Sequence, residues 1–343
     1  HAGAGVIPAA LAVGQATGAS DAQMLDAIAL GYEVSLRVAS ARPTATIETY
    51  ASGRWVGYGA AATTARLLAL DPVRTAHALA IAGAEGPMMF PTGTTKFQGS
   101  SVKEGIPPAV VAGVTAAYRA RASASGPLDL LDNEERYDQR LLLAQLGDTW
   151  ELQKCYLKPY ACCRYMHAAI DGILALRRSG REIRKLRIET FPQGLRLANE
   201  RQPRSLEGGQ YSFYFSCALA ALRGAEALQP VAHESLTDAE VLGLAARIEL
   251  DATPDFAAAF PAGTPAKVIL DEGEGPRELI VLHALGDVAN PMTRDQVAFK
   301  FRNIGRETLH PEWQDGILAA IDGLETHGFR PLLSALTLSA TRN

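Results

Sequence analysis

The sequence of 343 residues has little of what marks several protein classes. Four cysteines are too few for a small disulfide scaffold. Aromatic residues make up only 7%, yet hydrophobic residues reach 48%, and this apolar content can bury a large core, which excludes a disordered chain. The net charge of −4 gives no reason to expect a nucleic acid or an acidic membrane as partner.

Long apolar runs are missing as well. The longest stretch without a charged residue, 2–20, is interrupted by four glycines and a proline, so no membrane-spanning helix is predicted. The start at His1 lacks the positively charged region of a signal peptide. We therefore expect a cytoplasmic protein with reduced thiols, whose chain either has been processed or continues before His1.

Common catalytic signatures are also absent. The sequence contains no G-x-S-x-G, no Walker A motif and no H-E-x-x-H, and its cysteines lack the C-x-x-C spacing of a zinc site. Residues 57–62, GYGAAA, fit the loose dinucleotide form, but no strand-like run precedes them and no acidic residue follows about 20 positions later. Close packing of helices at small residues is the better interpretation.

The chain is instead rich in alanine, with 59 residues of this type. Its first half predicts helix after helix. Residues 20–23 form a capping box before one helix, and residues 71–72 supply an N-cap and an N1 proline for the next. Further helices are predicted over 102–121 and 133–146. Alanine on several faces permits close contact, which favours a buried helical bundle, although a general alanine bias explains the composition too.

The pattern changes after residue 150. Short strands are predicted over 185–191, 246–250, 266–270 and 278–282, and the last two are joined as a hairpin. Helices between these strands would cover one face of a small antiparallel sheet, which is an α+β arrangement.

The sequence therefore predicts a mainly α fold with an α+β part. An all-helical bundle domain would comprise residues 1–152 and 291–343. A smaller α+β domain, residues 153–290, would be inserted between them.

Two segments carry side chains suited to chemistry. Residues 156–167, YLKPYACCRYMH, offer an ammonium, a guanidinium, an imidazole, two thiols and three phenols at the boundary between the two patterns, where clefts form. Residues 91–99 form a polar loop with one lysine. Lys96, Lys158 and Arg164 together could hold a small polycarboxylate, and cationic neighbours could make one amine or thiol a usable base. A solvated basic loop is the simpler alternative.

Several segments, taken in order, resemble the MmgE/PrpD family, which includes 2-methylcitrate dehydratases, cis-aconitate decarboxylases and iminodisuccinate epimerases. No single motif is specific, but their order and spacing together are. The segments are HAGAGVIPAA at 1–10, GYEV at 31–34, KFQG at 96–99, KPYACC at 158–163, H-x-x-I-D at 167–171, GQYS at 209–212, NPM at 290–292 and KF at 300–301.

This resemblance implies a helical domain made from both ends of the chain, with an α+β lid domain inserted. It also implies a homodimer built through the helical domain, no metal and no organic cofactor. The substrate would be a small di- or tricarboxylate bound between lid and bundle. Members carry a further segment before the position of His1, which this sequence is expected to lack.

The resemblance assigns site residues position by position. Ala51 stands where dehydratases and decarboxylases have a histidine, and Arg54 or Tyr58 could fill that space. Glu33 and His77 fit family helices, where we expect packing roles. The expected catalytic residues are His1, Lys96, Lys158 and Cys163, and the expected substrate-binding residues are Arg164, His167, Tyr211, Tyr58 and Arg54.

The resemblance leaves several functions open. A hydro-lyase of the 2-methylcitrate dehydratase type would use Lys158 and His1 as acid and base. An epimerase of an iminodisuccinate-like dicarboxylate would place one base on each face of the α-carbon, for example Lys158 and Tyr58. Ala51 and Cys163 disfavour a decarboxylase. A truncated, inert homologue that only dimerises is the non-enzymatic alternative.

Overall fold

The computed structural model divides the chain into two compact units, His1–Lys154 with Ala320–Asn343, and Cys155–Ala319. The predicted mainly helical fold with an α+β part is confirmed. No helix among the described residues is long and apolar enough to cross a membrane. The domain boundaries at residues 152 and 290 stay a prediction. The structure describes residues 1–43, 51–86, 94–97, 100–178 and 180–340.

Six α-helices are described in the first unit before residue 154. Helix α2 begins with the predicted capping box, since Ser20 Oγ accepts from Gln23 N at 3.3 Å and Gln23 Oε1 accepts from Ser20 N at 2.9 Å. Asp71 is the N-cap of α4, since its carboxylate accepts a hydrogen bond from the backbone N–H of Arg74. The helices are α1 Ala2–Thr17, α2 Asp21–Ser40, α3 Val56–Leu67, α4 Pro72–Ala84, α5 Ile106–Arg121 and α6 Gln139–Leu143.

Helix α3 is the centre of this unit, because eleven of its twelve residues are buried. Its backbone approaches α2 so closely that a Cβ on Gly59 would lie 1.8 Å from Ser35 Oγ and 2.5 Å from the carbonyl oxygen of Gly31. On its other side, a Cβ on Gly113 of α5 would lie 2.3 Å from the carbonyl oxygen of Gly57. The glycines of GYGAAA therefore serve helix packing, as the sequence analysis favoured.

A buried ion pair ties α2 to the chain that follows α6. Glu33 and Arg37 are each 5% exposed, and Arg37 Nε donates to Glu33 Oε1 at 2.5 Å. The second oxygen of Glu33 accepts from the backbone N–H of Glu151 at 2.6 Å. The remaining guanidinium N–H groups donate to the carbonyl oxygens of Leu142, Ala144 and Thr149. The pair therefore holds an otherwise irregular segment against the bundle.

Two local predictions for this unit are wrong. The helix predicted over 133–146 is limited to the five residues of α6, because residues 133–138, NEERYD, offer no apolar stripe to bury and the Asp138 carboxylate caps a later start. The helix predicted from residue 102 begins at Ile106, after Gly105 adopts a left-handed conformation with φ of 65°.

A two-stranded hairpin stands where the sequence predicted a polar loop leading into a helix. Strand β1, Thr94–Phe97, pairs antiparallel with β2, Ser100–Lys103. Lys96 lies opposite Ser101 in this register. The unit that was expected to be all-helical thus contains a short hairpin.

The second unit builds a four-stranded sheet in the order β4–β3–β5–β6. Strand β3 pairs antiparallel with β5 but parallel with β4, so the predicted antiparallel sheet is mixed. The strands are β3 Lys185–Thr190, β4 Glu249–Ala252, β5 Ala266–Asp271 and β6 Pro276–Val281. The helices are α7 His167–Leu176, α8 Leu206–Gln210, α9 Phe213–Arg223, α10 Ala239–Arg247, α11 Arg294–Gly305 and α12 Pro311–Asp322. The first unit resumes at Ala320, near the end of α12, and continues with α13 Leu324–His327 and α14 Arg330–Ala340.

One face of this sheet is apolar and the other carries ion pairs. Leu186 and Ile188 of β3 are buried together with Val268 of β5, and α7 packs on β5 and β6. On the opposite face, Lys267 pairs with Glu278 at 2.8 Å. The alternation follows the two-residue period of a strand. Packing against the sheet fixes α7, whose first residue is His167.

Removing the buried carboxylate of Glu33 should destabilise the first unit. Glu33→Ala leaves the Arg37 charge buried without its partner, so we expect a loss of about 3 kcal/mol in the free energy of unfolding, measured with urea and circular dichroism. Asp26→Ala removes an exposed carboxylate of the same helix that pairs with Arg66, and should cost at most about 1 kcal/mol. Equal losses for the two variants would contradict a structural role for the buried pair.

Candidate active site

The predicted lysine lies on an irregular segment, residues 157–163, which we call the lysine segment. Three of its backbone N–H groups donate to distant carbonyl oxygens at 2.8–2.9 Å: Leu157 to Gly286, Ala161 to Leu228 and Cys163 to Gln210. Gly286 has φ of 90°, and a Cβ there would lie 1.8 Å from the carbonyl oxygen of Leu157. Only glycine permits this approach, so the segment has a fixed shape without being helix or strand.

Two carbonyl oxygens of the lysine segment accept hydrogen bonds from side chains. Lys300 Nζ donates to the carbonyl oxygen of Lys158. Gln229 Nε2 donates to the carbonyl oxygen of Pro159 at 2.7 Å, and Gln229 Oε1 accepts from Asn303 Nδ2 at 3.2 Å. The backbone on both sides of the Lys158 side chain is therefore held in place.

His167 follows the lysine segment and is fully buried. Its Nε2 lies 3.4 Å from the carbonyl oxygen of Cys162, and its ring packs edge-on against Tyr160 with 5.1 Å between centroids. Because a carbonyl oxygen only accepts, Nε2 carries the proton in this contact. Nδ1 is buried and has no hydrogen-bond partner among the residues that the structure describes.

The surroundings of His167 keep its imidazole neutral. Burial is the largest cause, and the positive charges of Lys158, Arg164 and Lys300 add to it, so that the pKa of His167 lies well below its usual range. A neutral, buried imidazole does not attract a carboxylate by charge. The expected role of His167 in substrate binding stays a prediction.

Arg164 is already engaged within the second unit. Its guanidinium donates to Thr264 Oγ1 at 2.9 Å and pairs with the Asp287 carboxylate. It also lies over the ring of Tyr156, with 4.7 Å to the centroid. Its charge is thus largely balanced inside the unit, and the expected binding of substrate by Arg164 stays a prediction.

Lys158 and Lys300, unlike Arg164, carry charges that no described residue balances. Neither ammonium forms an ion pair with any residue that the structure describes. Both side chains are partly buried. Burial, with the neighbouring charge of Lys158, lowers the pKa of Lys300. Two cations that no described residue balances make this part of the second unit well suited to bind an anion.

Asp171 anchors the lysine segment to α7. Its carboxylate accepts from the Tyr160 hydroxyl at 2.6 Å and from the backbone N–H of Leu285 at 2.6 Å. Burial raises the pKa of Asp171, and burial together with the Asp171 charge raises the pKa of the Tyr160 phenol. Tyr160 therefore acts as a neutral donor, and the I-D element of the sequence motif has a positioning role.

In the first unit, His1 is held by two residues that the sequence analysis missed. Its Nδ1 lies 2.8 Å from Glu104 Oε2 and 2.6 Å from Ser52 Oγ, and Ser52 Oγ donates to the same carboxylate oxygen at 2.8 Å. The carboxylate favours the tautomer with the proton on Nδ1, which places the lone pair on Nε2. Because both partners meet Nδ1, the arrangement suits a histidine base rather than a serine nucleophile.

Backbone geometry places Glu104 beside Ser52. Glu104 adopts a left-handed conformation, with φ of 51°, and its carbonyl oxygen accepts from Gly53 N at 2.8 Å. The Glu104 side chain is 11% exposed and that of His1 29%. No sequence motif marks this contact, because it joins three parts of the chain that are far apart in sequence.

Tyr58 is a buried phenol whose oxygen lies 3.3 Å from that of Tyr137. Burial is the main cause of the raised pKa of Tyr58, and Tyr137 adds to it, whereas the positive charge of half-buried Arg54 opposes it. A phenol of this kind is a poor base at neutral pH, which counts against its role as the second base of an epimerase.

The remaining predicted residues stay predictions. Cys163 and Tyr211 are half-buried in the second unit, and Cys163 N donates to the carbonyl oxygen of the residue before Tyr211. Lys96 lies on β1, but its side chain is outside the described part of the structure. His77 Nδ1 accepts from Gly126 N at 3.3 Å, which fits the expected packing role.

Metal and disulfide chemistry find no support in the described ranges. No group of three or more His, Cys, Asp or Glu side chains there could hold a metal ion. Cys155, Cys162, Cys163 and Cys217 form no disulfide with one another, and burial raises the pKa of Cys217 well above its usual value. Cys217 is thus a buried apolar group rather than a nucleophile.

Comparison with known proteins gives two matches that cover most of the chain. Residues 1–146 match the MmgE/PrpD N-terminal domain, and residues 160–326 match the MmgE/PrpD C-terminal domain. No curated protein matches the sequence. The two domain matches together include His1, Ser52 and Glu104, and the lysine segment from Tyr160 onward.

Neutral His167 should make stability depend on pH. The pKa of His167 in the folded protein is below the unfolded value of about 6.5. As the pH falls below 6.5, the unfolded chain therefore takes up the proton before the folded protein does. The free energy of unfolding, which is fully present above pH 6.5, decreases as a result. Between pH 6.5 and 5, His167→Gln should remove up to about 1.4 kcal/mol per pH unit from the slope of the unfolding free energy.

The measurement is urea unfolding at several pH values. The matched control is His233→Gln, since His233 is exposed in the same unit and should leave the wild-type slope unchanged. A wild-type slope that persists in His167→Gln would show that His167 does not titrate as described.

Proposed function

The chain belongs to the MmgE/PrpD family, and we propose that it is a cofactor-independent lyase that removes water from a small hydroxy di- or tricarboxylate. Members of this family are generally enzymes. The observation that carries the proposal is Lys158, a partly buried ammonium without a counter-charge among the described residues, on a segment whose backbone is fixed on both sides. Such a group is suited to a substrate carboxylate.

The proposed chemistry begins with removal of a proton next to a carboxylate. His1 is assigned as the base, because the Glu104 carboxylate directs its lone pair to Nε2 and stabilises the imidazolium that forms. Lys158 stabilises the negative charge that develops on the substrate carboxylate and gives a proton to the departing hydroxyl, which leaves as water. A carbon–carbon double bond remains in the product. Lys96, Cys163, Arg164 and Tyr211 are proposed as further contacts of the substrate.

An epimerase acting on an iminodisuccinate-like dicarboxylate is the second candidate. It is favoured by Ala51, which offers no imidazole for protonating a departing hydroxyl where dehydratases have one. His1 held by Glu104 could serve as one of its two bases. Solvent deuterium entering the α-carbon without loss of water would identify this reaction, whereas an unsaturated product identifies the lyase.

A homodimer, which the family resemblance implies, and a cytoplasmic location, which the lack of a signal peptide led us to expect, are part of the proposal. An inert homologue that only dimerises would bind none of these acids. Stabilisation of the wild-type protein by a small carboxylic acid distinguishes a working site from that alternative, because a ligand at 100 times its Kd adds about 2.7 kcal/mol to the unfolding free energy.

Loss of the Lys158 ammonium should strongly reduce turnover. A panel of di- and tricarboxylates is first screened by thermal unfolding, and turnover of the stabilising acid is then measured. We expect Lys158→Met to lower kcat by about 10²–10⁴-fold, the range of a general acid or base. Lys185→Met is the matched control, because Lys185 is an exposed lysine of the same unit that pairs with Glu249. Full turnover in Lys158→Met, or no stabilising acid, would refute the proposal.

Loss of the Glu104 charge should weaken the base rather than substrate binding. In Glu104→Gln the amide no longer fixes the Nδ1 proton of His1, so we expect kcat to fall about 100-fold while KM changes little. Glu85→Gln changes an exposed glutamate of the first unit that pairs with Arg119 and should retain activity. If the two variants behaved alike, His1 would not depend on Glu104.

A further inference from the structure

Helix α11 is linked to two consecutive carbonyl oxygens of the lysine segment, one directly and one through Gln229. Lys300 donates to the carbonyl oxygen of Lys158 directly, and Asn303 reaches that of Pro159 through Gln229. Lys300 and Asn303 are three residues apart and so lie on one face of the helix. Gln229 is 6% exposed, which shields the second link from water. One helix face thus fixes the backbone that carries the Lys158 side chain.

The hydrogen bond from Lys300 to the carbonyl oxygen of Lys158 places a charged group where a neutral donor would cost less free energy. A carbonyl oxygen is satisfied equally well by a neutral donor, as Gln229 shows one residue further along. The Lys300 ammonium is partly buried beside a second ammonium, and no described residue gives it a carboxylate. Burial and like charge both disfavour this arrangement unless an anion offsets it. The hydrogen bond alone therefore does not explain why a charged residue stands at position 300.

We propose that Lys300 is a positioning residue for Lys158, which fixes the Lys158 backbone through its carbonyl oxygen and adds a second positive charge beside the Lys158 ammonium. The identity of the bound anion as a carboxylate rests on the proposed function. The link between the two lysines does not.

Two titratable groups among the described residues interact electrostatically with Lys300. They are the Lys158 ammonium of the lysine segment and the imidazole of His167 at the start of α7. His167 is neutral in the folded protein, so Lys158 is the charge that Lys300 experiences at neutral pH. Removal of the Lys158 charge should therefore make Lys300 easier to protonate.

Competitive acetylation tests this link without reference to turnover. Acetic anhydride reacts only with unprotonated amines, and peptide mass spectrometry follows the extent of reaction at each lysine across a pH series. In Lys158→Met, the midpoint for Lys300 should move to higher pH than in wild type. In Lys185→Met, which changes an exposed lysine on β3, it should stay in place. Equal midpoints in the two variants would overturn the proposal.

Steady-state kinetics separate the two parts of the role. Lys300→Met removes both the donor and the charge, and we expect kcat to fall about 100-fold because Lys158 loses its position. Lys300→Gln can keep the donor but not the charge, so KM should rise more than kcat falls. Lys300→Arg keeps both and should restore kcat to within about tenfold of wild type. Wild-type kcat and KM in Lys300→Met would contradict positioning.

The two proposals fail in different ways. If no acid is turned over but the Lys300 midpoint shifts in Lys158→Met, the proposed function is wrong and the coupling of the lysines stands. If turnover is found and the midpoint does not shift, the role of Lys300 is wrong. Should Lys300→Met not fold by circular dichroism, the Gln and Arg variants and the acetylation of Lys158→Met still decide the matter.

Discussion

The shape of the lysine segment depends on hydrogen bonds from residues that are remote in sequence. Its polar backbone groups find their partners in the turn at Gly286, the loop at Leu228, the end of α8 and the side chains of Gln229 and Lys300. An irregular segment without such partners would leave buried polar groups unpaired. Because these bonds are made, an ammonium can be held in a defined place on a chain that is neither helix nor strand.

The electrostatics of the second unit follow from this arrangement. Arg164 is balanced by Asp287, and Asp171 is occupied by Tyr160 and the backbone of Leu285. His167 is made neutral by burial and by the cations around it. Two lysines are left whose charges no described residue balances, and this surplus favours an anionic substrate.

The sequence was informative where the cause is local. Capping residues, strand alternation and the hairpin at Asp271–Pro276 were predicted correctly, because they depend on neighbours in the chain. Lys158 was singled out as a candidate by its motif. The Ser52–Glu104 contact and the link from Lys300 could not be predicted from local sequence, because each joins segments separated by more than 50 or 140 residues. The helix predicted over 133–146 failed because its first six residues offer no apolar stripe, and because the carbonyl oxygen of Ala144, just after α6, accepts a hydrogen bond from Arg37.

The central claim is that uncompensated lysine charge in the second unit binds a small carboxylate. Its most direct measurement is calorimetric titration with propane-1,2,3-tricarboxylate, which has no hydroxyl to lose, at low and high salt. The account predicts binding to the wild-type protein that weakens as salt increases, and at least tenfold weaker binding to Lys158→Met. Equal affinity of the wild type and Lys158→Met, or affinity independent of salt, would contradict it.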